Sequence, residues 1–332
     1  MFFITRPPGG ILNVLKAGIA AVIAGTTMLC SAADPSYPIR PVRVLVGFVP
    51  GGGSDLVARV LSRKLGESWG QQFVVDNRAG AGGVVAAETT ANAAPDGYTL
   101  FVTSSSLTIQ PSVIDKLPFD TLRDFTAIGL AASQPFLLVV HPGFEAKTVK
   151  QLIDMAKAQP GRINSATAGA GSSVHLAAML FNRMAGVDMV LVPYKGVAGL
   201  TDLISGQVQV AFQGLPVLQP HVNSGRLRAL GVTSVSRSPL YPDIPTVAEA
   251  AVPRFEVITW YGMIGPARMP RPLIDKLNAG ISSAMQSAEV RQSLSSLGLS
   301  PEGGTPAAFA ARIREEVQKW KQLLTPAERK PG

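Results

Sequence analysis

The chain has 332 residues, 46% of them hydrophobic and 16% charged, with 30 basic against 22 acidic side chains for a formal net charge of +8. That length can bury a sizeable core in one or two domains without cross-links, and the single cysteine, Cys30, excludes an internal disulfide. The basic residues are scattered, with no interleaved aromatics; this excludes a nucleic-acid stripe and leaves a mild attraction for anionic solutes.

Residues 1–33 read as a cleaved secretory signal peptide. Arg6 and Lys16 are their only charges, an apolar stretch runs from Ala17 to Cys30, and Ser31-Ala32-Ala33 has the small-x-small form of a cleavage site before Asp34. The apolar run is too short to span a bilayer, which takes about 20 residues. Thr27-Met28-Leu29 lacks the small residues that precede a lipidated cysteine. The mature chain is therefore expected in the periplasm, without cysteine, with 28 basic and 22 acidic residues and a net charge of about +6. Disulfides, Cys-ligated metals and thiol catalysis are then excluded there.

After the leader, strand and helix patterns alternate. Val42–Phe48 is an apolar strand, Pro50-Gly51-Gly52-Gly53 a turn, and Asp55–Ser68 a helix with apolar Leu56, Val57, Val60, Leu61 and Leu65. Glycines let backbone N–H groups approach a ligand closely. A helix start behind them adds unpaired N–H groups and a partial positive charge, a means of holding an anion without a charged side chain. Ser54-Asp55 stands where a Walker loop has Lys followed by Ser or Thr, so a carboxylate is favoured over a nucleotide phosphate. Phe73–Asp76 is a short strand; Gly80-Ala81-Gly82-Gly83 opens an Ala-rich helix ending near Ala94; Tyr98–Thr103 is the next strand and leads into Ser104-Ser105-Ser106, a polar turn or a set of donors at a strand end. The order argues for parallel βαβ units covered by helices.

The second half repeats this plan. Phe136–Val140 is an apolar run, and Thr148 caps a helix that stops before Pro160-Gly161. Strand Ile163–Thr167 leads through Ala168-Gly169-Ala170-Gly171-Ser172-Ser173 into a helix running through Met184, with Ser172 or Ser173 as N-cap. These glycines either pack strand against helix or expose a second set of backbone donors. Strand Met189–Val192 precedes Pro193-Tyr194-Lys195-Gly196, where Tyr194 lines a cleft or packs beneath it. Val208–Phe212 and Leu227–Val232 are strands, residues 233–253 a long Pro- and Ser-rich connection, and Leu273–Ser287 and Pro306–Leu324 helices. Trp260-Tyr261-Gly262 reads as core or hinge packing. Two α/β sets imply two lobes, and both glycine turns follow strands, where open α/β sheets take ligands.

His175 lies three residues after Ser172, so a Ser–His pair for nucleophilic chemistry is one alternative; Gly171-Ser172-Ser173-Val174-His175 lacks the second glycine of a nucleophile elbow. His141, His175 and His221 are scattered, with no metal-ligand spacing, so no metal or cofactor is expected.

Taken together, Phe48 to Asp55, Asn77 to Gly83, Pro95 to Thr99, Gly169 to Leu176, Val192 to Gly196, Gly225 to Leu230, Pro245 to Ala250 and Trp260-Tyr261-Gly262 resemble, in order, the Bug family, the extracytoplasmic solute-binding receptors of tripartite tricarboxylate transporters. The resemblance runs from about Tyr37 to Trp320. It implies a type II periplasmic-binding-protein fold: two α/β lobes joined by a two-strand hinge, expected as residues 34–135 with 258–332 and residues 136–257, closing on a small carboxylate. It implies ligand contacts, mainly from backbone, at Val49, Pro50, Gly51, Gly52, Gly53 and Ser54 in one lobe, and at Ala168, Gly169, Ala170, Gly171, Ser172 and Ser173 in the other. Ser104 and Ser105 match a position near the ligand, Tyr194 lines the wall, and Gln213, beside Gly214, falls on a loop that selects the rest of the solute. The chain departs from the family pattern at Gln209, where an acid is common, and at Ala251, where glycine is usual. The implied role is a monomeric receptor that hands its ligand to membrane permease subunits; a sensor delivering it to a signalling partner and a secreted serine hydrolase are the alternatives.

Overall fold

The computed structural model describes residues 1–3, 36–195 and 198–324. Residues 4–33 of the expected signal peptide, with Cys30 and the cleavage point, Gly196 of the Tyr194-Lys195-Gly196 segment, and the basic pair Arg329-Lys330 lie outside the described residues. Ten strands are named: β1 (Val42–Val46), β2 (Phe73–Asn77), β3 (Thr99–Ser104), β4 (Phe125–Val140), β5 (Asn164–Thr167), β6 (Val190–Pro193), β7 (Val210–Gly214), β8 (Arg228–Val232), β9 (Ile258–Pro266) and β10 (Ser300–Pro301).

Two sheets of the same design are joined through β4. In one, β1 runs parallel between β2 and β3, and β9 lies antiparallel beside β3. In the other, β5 runs parallel between β6 and β7, and β4 lies antiparallel beside β7. β4 belongs to both: Phe125–Pro135 pairs with β9, and Phe136–Val140 with β7. β8 extends the second sheet along Leu137–Val140, and β10 borders the first at Ala132 and Ser133. The result is two α/β lobes with β4 and β9 as the strands that pass between them.

Burial follows from this covering. Val42, Val44, Leu45 and Val46 are all buried because helices lie on both faces of the sheet. Helix Gly53–Trp69 buries Val57, Ala58, Leu61 and Leu65 at helical spacing and stops at Gly70, whose φ of 66° suits a residue without Cβ. In the other lobe Phe181, Phe212 and Phe255 meet with ring centroids 5.6–6.2 Å apart. Thr148, Ser172 and Thr305 each cap the helix that follows, accepting from Gln151, His175 and Ala308.

The alternation read from sequence is present, with differences of detail. Helices Ser106–Val113 and Leu215–Asn223 hold internal prolines, Pro111 and Pro220, which hide them from a periodicity reading. The first eleven residues of β4 and all of β9 carry no polar–apolar alternation, because the sheet buries both faces. The connection 233–253 includes a one-turn helix, Val247–Ala250, closed by a capping box between Thr246 and Glu249. The Ala-rich helix ends at Ala91 rather than near Ala94.

Candidate functional site

The carboxyl ends of β1, β3, β5 and β7 point at one cleft. Phe48, Val49, Gly52, Gly53 and Ser54 reach it from β1, Ser104 and Ser106 from β3, Ala168, Ser172, Ser173 and Val174 from β5, and Gln213 from β7. The passing strands add Phe136, Thr259 and Tyr261. The cleft holds about 60 Å³ of water-accessible space, room for roughly four to six waters or one compact solute.

The first glycine turn is held from beneath by charge. Gly51 has φ of 88°, and its N–H donates to Asp55 Oδ2 at 3.0 Å. Asn77 Nδ2 donates to Asp55 Oδ1 at 2.9 Å and to the Phe48 carbonyl at 3.0 Å, tying the turn to β2. Arg59 Nε closes on Asp55 Oδ2 at 2.9 Å, with the Asp55 side chain 3% exposed and that of Arg59 52%. Burial pushes the Asp55 carboxyl up, but hydrogen bonds from Arg59, Gly51 and Asn77 outweigh it and hold the group below the ordinary carboxylate range. No side chain caps this helix, so its first N–H groups are left for the cleft. A Cβ on Gly53 would overlap the Tyr261 hydroxyl and come within 2.8 Å of Gln134 Nε2, so backbone lies directly on the cleft floor. Tyr261 is buried, and its hydroxyl accepts from Gln134 Nε2. Burial raises its pKa despite that bond, so the phenol stays protonated and able to donate.

The second turn is held by neutral groups. Gly169 and Gly171 have φ of 92° and 76°. Ser172 Oγ donates to the Gly169 carbonyl at 2.7 Å and accepts the His175 N–H at 3.2 Å. The Ser173 N–H donates to Ser106 Oγ across the cleft at 3.2 Å. Hydroxyls of both lobes and a passing strand join here: Ser105 Oγ lies 2.9 Å from Ser173 Oγ and 3.0 Å from Thr259 Oγ1, and Ser106 Oγ lies 3.0 Å from Ser104 Oγ. The second turn also packs against the Gly80–Gly83 turn, since a Cβ on Gly82 would meet the Ala170 carbonyl at 2.6 Å.

Nine of the residues singled out from sequence line one cavity: Val49, Gly52, Gly53, Ser54, Ser104, Ala168, Ser172, Ser173 and Gln213. Pro50 and Gly51 lie on the exposed outer side of the first turn. Ser105 sits within the hydroxyl network, and Gly169, Ala170 and Gly171 shape the second turn without lining the cavity. Tyr194 is not brought to it: its hydroxyl donates to Asp202 Oδ2 at 2.7 Å and its ring packs over Gly199. The His175 ring approaches Thr167 Oγ1 at 3.4 Å and burial lowers its pKa, while the Ser172 hydroxyl is engaged with backbone, so the two do not form a nucleophile–base pair. The sequence reading did not assign Phe48, Ser106, Phe136, Val174, Thr259 or Tyr261 to the site. Phe48, Ser106 and Val174 adjoin the motifs that were assigned, and that adjacency was the available signal.

Residues 57–328 match the family model described as tripartite tricarboxylate transporter family receptor. Protein BugT of Bordetella pertussis is 36% identical over 314 residues, 94% of each chain. Among solved structures, Rpa4515 of R. palustris with adipate has a TM-score of 0.83 at 33% identity, covering 86% of this chain and 97% of that one. MatC of Rhodopseudomonas palustris with bound malate has a TM-score of 0.82 at 32% identity, covering 86% and 99%.

Proposed function

The chain belongs to the tripartite tricarboxylate transporter receptor family, a family of solute-binding proteins and not enzymes, and we propose that its interlobe cleft captures a small organic carboxylate in the periplasm for delivery to membrane permease subunits. The observation that carries this is the uncapped start of helix Gly53–Trp69 on the cleft floor, with an obligatory glycine at Gly53. A carboxylate there meets backbone N–H groups and the positive end of the helix dipole, a contribution of about 0.3–1 kcal/mol at exposed sites and up to about 2 when partly buried. Hydroxyls of Ser104, Ser106 and Tyr261 from one side and Ser173 from the other supply further donors. Micromolar affinity corresponds to about −8 kcal/mol, so the helix terminus must act together with several such bonds. Relatives solved with adipate and with malate support the ligand class.

The lobes divide, in this reading, as residues 34–135 with 258–332 and residues 136–257. The division is supported by the change of partner in β4 between Pro135 and Phe136 and by the start of β9 at Ile258. Contacts made to both lobes favour the closed arrangement, which a permease then recognises. A thermal-shift screen of mono-, di- and tricarboxylates tests the function: at least one acid raises the melting temperature without being turned over. No response to any acid overturns it.

A further inference from the structure

We propose that Gln134, on the crossing strand β4, is a positioning residue for solute capture: its amide holds the Tyr261 hydroxyl so that the phenol hydrogen is aimed at the carboxylate seated on the first turn. The proposal rests on the carboxylate reading above. To the backbone donors of that reading it adds a side-chain donor and the residue that aims it. Three observations carry it.

The first is register. In the β4–β9 pair Gln134 stands opposite Thr259, and Tyr261 lies two residues further along β9. Side chains alternate along a strand, so Gln134 and Phe136 share one face with Thr259 and Tyr261. Phe136, Thr259 and Tyr261 line the cleft, and Gln134, on the same face, is buried at 2% exposure.

The second is the state of the cleft hydroxyls. Those of Ser105, Ser173 and Thr259 lie within 2.9–3.3 Å of one another, and Ser104 Oγ lies 3.0 Å from Ser106 Oγ. Tyr261 stands outside this network. Its oxygen accepts from Gln134 Nε2, and among the described residues its own hydrogen has no acceptor. Tyr261 is 5% exposed, and burial keeps the phenol protonated. A buried donor without an acceptor is costly. This one lies against Gly53, where a Cβ would overlap it, and Gly53 is the first residue of the uncapped helix. The phenol hydrogen and the unpaired N–H groups of the helix start therefore converge on one seat, and both suit an anion.

The third is the Gln134 amide itself. Its Nε2 is hemmed in by glycines of both lobes: a Cβ on Gly53 would lie 2.8 Å from it and one on Gly214 2.5 Å. Its Oε1 is buried without a partner. An unsatisfied buried acceptor destabilises, and a Met of similar reach would fill the space without one. Packing alone does not call for an amide here; the Nε2 donor does. By occupying the phenol oxygen, Nε2 turns the phenol hydrogen away from Gln134.

Calorimetric titration of the purified protein with propionate, succinate and citrate, together with the strongest stabiliser from the thermal-shift screen, selects the tightest-binding acid, and the variants are compared with that acid. Tyr261→Phe removes the donor and is expected to weaken binding about tenfold to a hundredfold, as for a hydrogen bond to a charged group. Gln134→Met keeps the volume and is expected to weaken binding about fivefold with the melting temperature unchanged or higher, because the unsatisfied acceptor is removed as well. The double variant should bind no more weakly than Tyr261→Phe alone, since Gln134 acts through the phenol. Unchanged affinity in Tyr261→Phe shows that the hydroxyl does not meet the solute, and additive losses show that Gln134 acts independently of it. Equal or tighter binding by Gln134→Met shows that the amide does not aim the phenol, or that it draws the hydrogen to Oε1. Each of these results overturns the proposal and leaves the carboxylate reading standing; failure of wild type to bind any carboxylate overturns both. Should Gln134→Met not fold, Gln134→Leu takes its place in the same comparison.

Discussion

The two glycine turns have the same shape and opposite means of support. Each follows a central parallel strand, β1 or β5, and each opens a helix over the cleft. The turn at 50–53 is braced by a buried carboxylate, Asp55, tied to Arg59, Asn77 and Gly51. The turn at 169–173 is braced by a serine hydroxyl that bonds only its own backbone. The difference separates two tasks. In the first, the brace acts from behind and leaves the helix start open, so that turn is built before any ligand arrives. In the second, capping and the cross-cleft Ser106 bond already engage the Ser173 and His175 N–H groups, so that turn has fewer open donors and acts mainly as a closing wall. An anion seated at the first turn gains the open dipole, and the second turn contributes hydroxyls and exclusion of water.

The largest expected effect comes from giving the first turn the cap that the second one has. Gly52 sits at the cap position with φ of −79°, and a Cβ there meets nothing closer than the Val49 carbonyl at 3.8 Å. Gly52→Asp therefore fits sterically, and its carboxylate can bond the N–H groups at the helix start. We expect binding of any responsive carboxylate to fall at least 100-fold with the melting temperature unchanged or slightly higher, read by calorimetry and by thermal unfolding. Retained affinity would remove the first turn from the site. Removing the brace is the next step down. Asp55→Asn leaves Arg59 without its ion pair and weakens the bonds to Gly51 and Asn77, a loss of about 1–3 kcal/mol of stability and about tenfold in affinity. Because the Asp55 carboxyl titrates below its unfolded value of about 3.9, its stabilisation is present above that value and lost as pH falls through the folded pKa. The stability gap between wild type and variant should therefore narrow below about pH 4.

Much of this contrast was legible in the chain, because glycine turns, caps and apolar periodicity are local. Gly51-Gly52-Gly53 and Gly169 to Ser172 announce tight turns before helices by composition alone, and Val57, Leu61 and Leu65 announce the buried face. What was hidden is tertiary. Asp55 reads as an ordinary first-turn acid until β2 brings Asn77 to it. Gly129, Ala131, Ala132, Ser133 and Gln134 have no strand signature, since small and polar residues are buried there on both faces of β4. Thr259 and Tyr261 reach the cleft only because β9 pairs between β3 and β4. Tyr194 was misleading for the same reason: a strand-end position is ambiguous until the helix it packs on, Gly199–Ile204, is in place.

A smaller effect is expected at the neutral brace. Ser172→Ala removes the helix cap, which costs about 1 kcal/mol. Affinity should stay within about threefold, because this hydroxyl donates to Gly169 and not into the cleft. A hundredfold loss of binding without loss of stability would mean that Ser172 grips the solute directly, and the two turns would then be equivalent in role.

The smallest effect concerns charge at the second turn. His175 lies half-buried against Thr167, and burial holds its pKa below the ordinary value near 6.5. A histidine with a depressed folded pKa binds fewer protons folded than unfolded. The stability it permits is complete above about pH 6.5 and erodes as pH falls through the folded value. The melting temperature of wild type should therefore drop by a few degrees more than that of His175→Gln between pH 7.5 and 5.5. Carboxylate affinity should be flat between pH 8 and 7, since the imidazole stays neutral there. If protonated His175 held the anion, affinity would instead climb as pH fell toward 6 and the Gln variant would abolish the climb, placing a cation in the lobe that the described lining leaves uncharged.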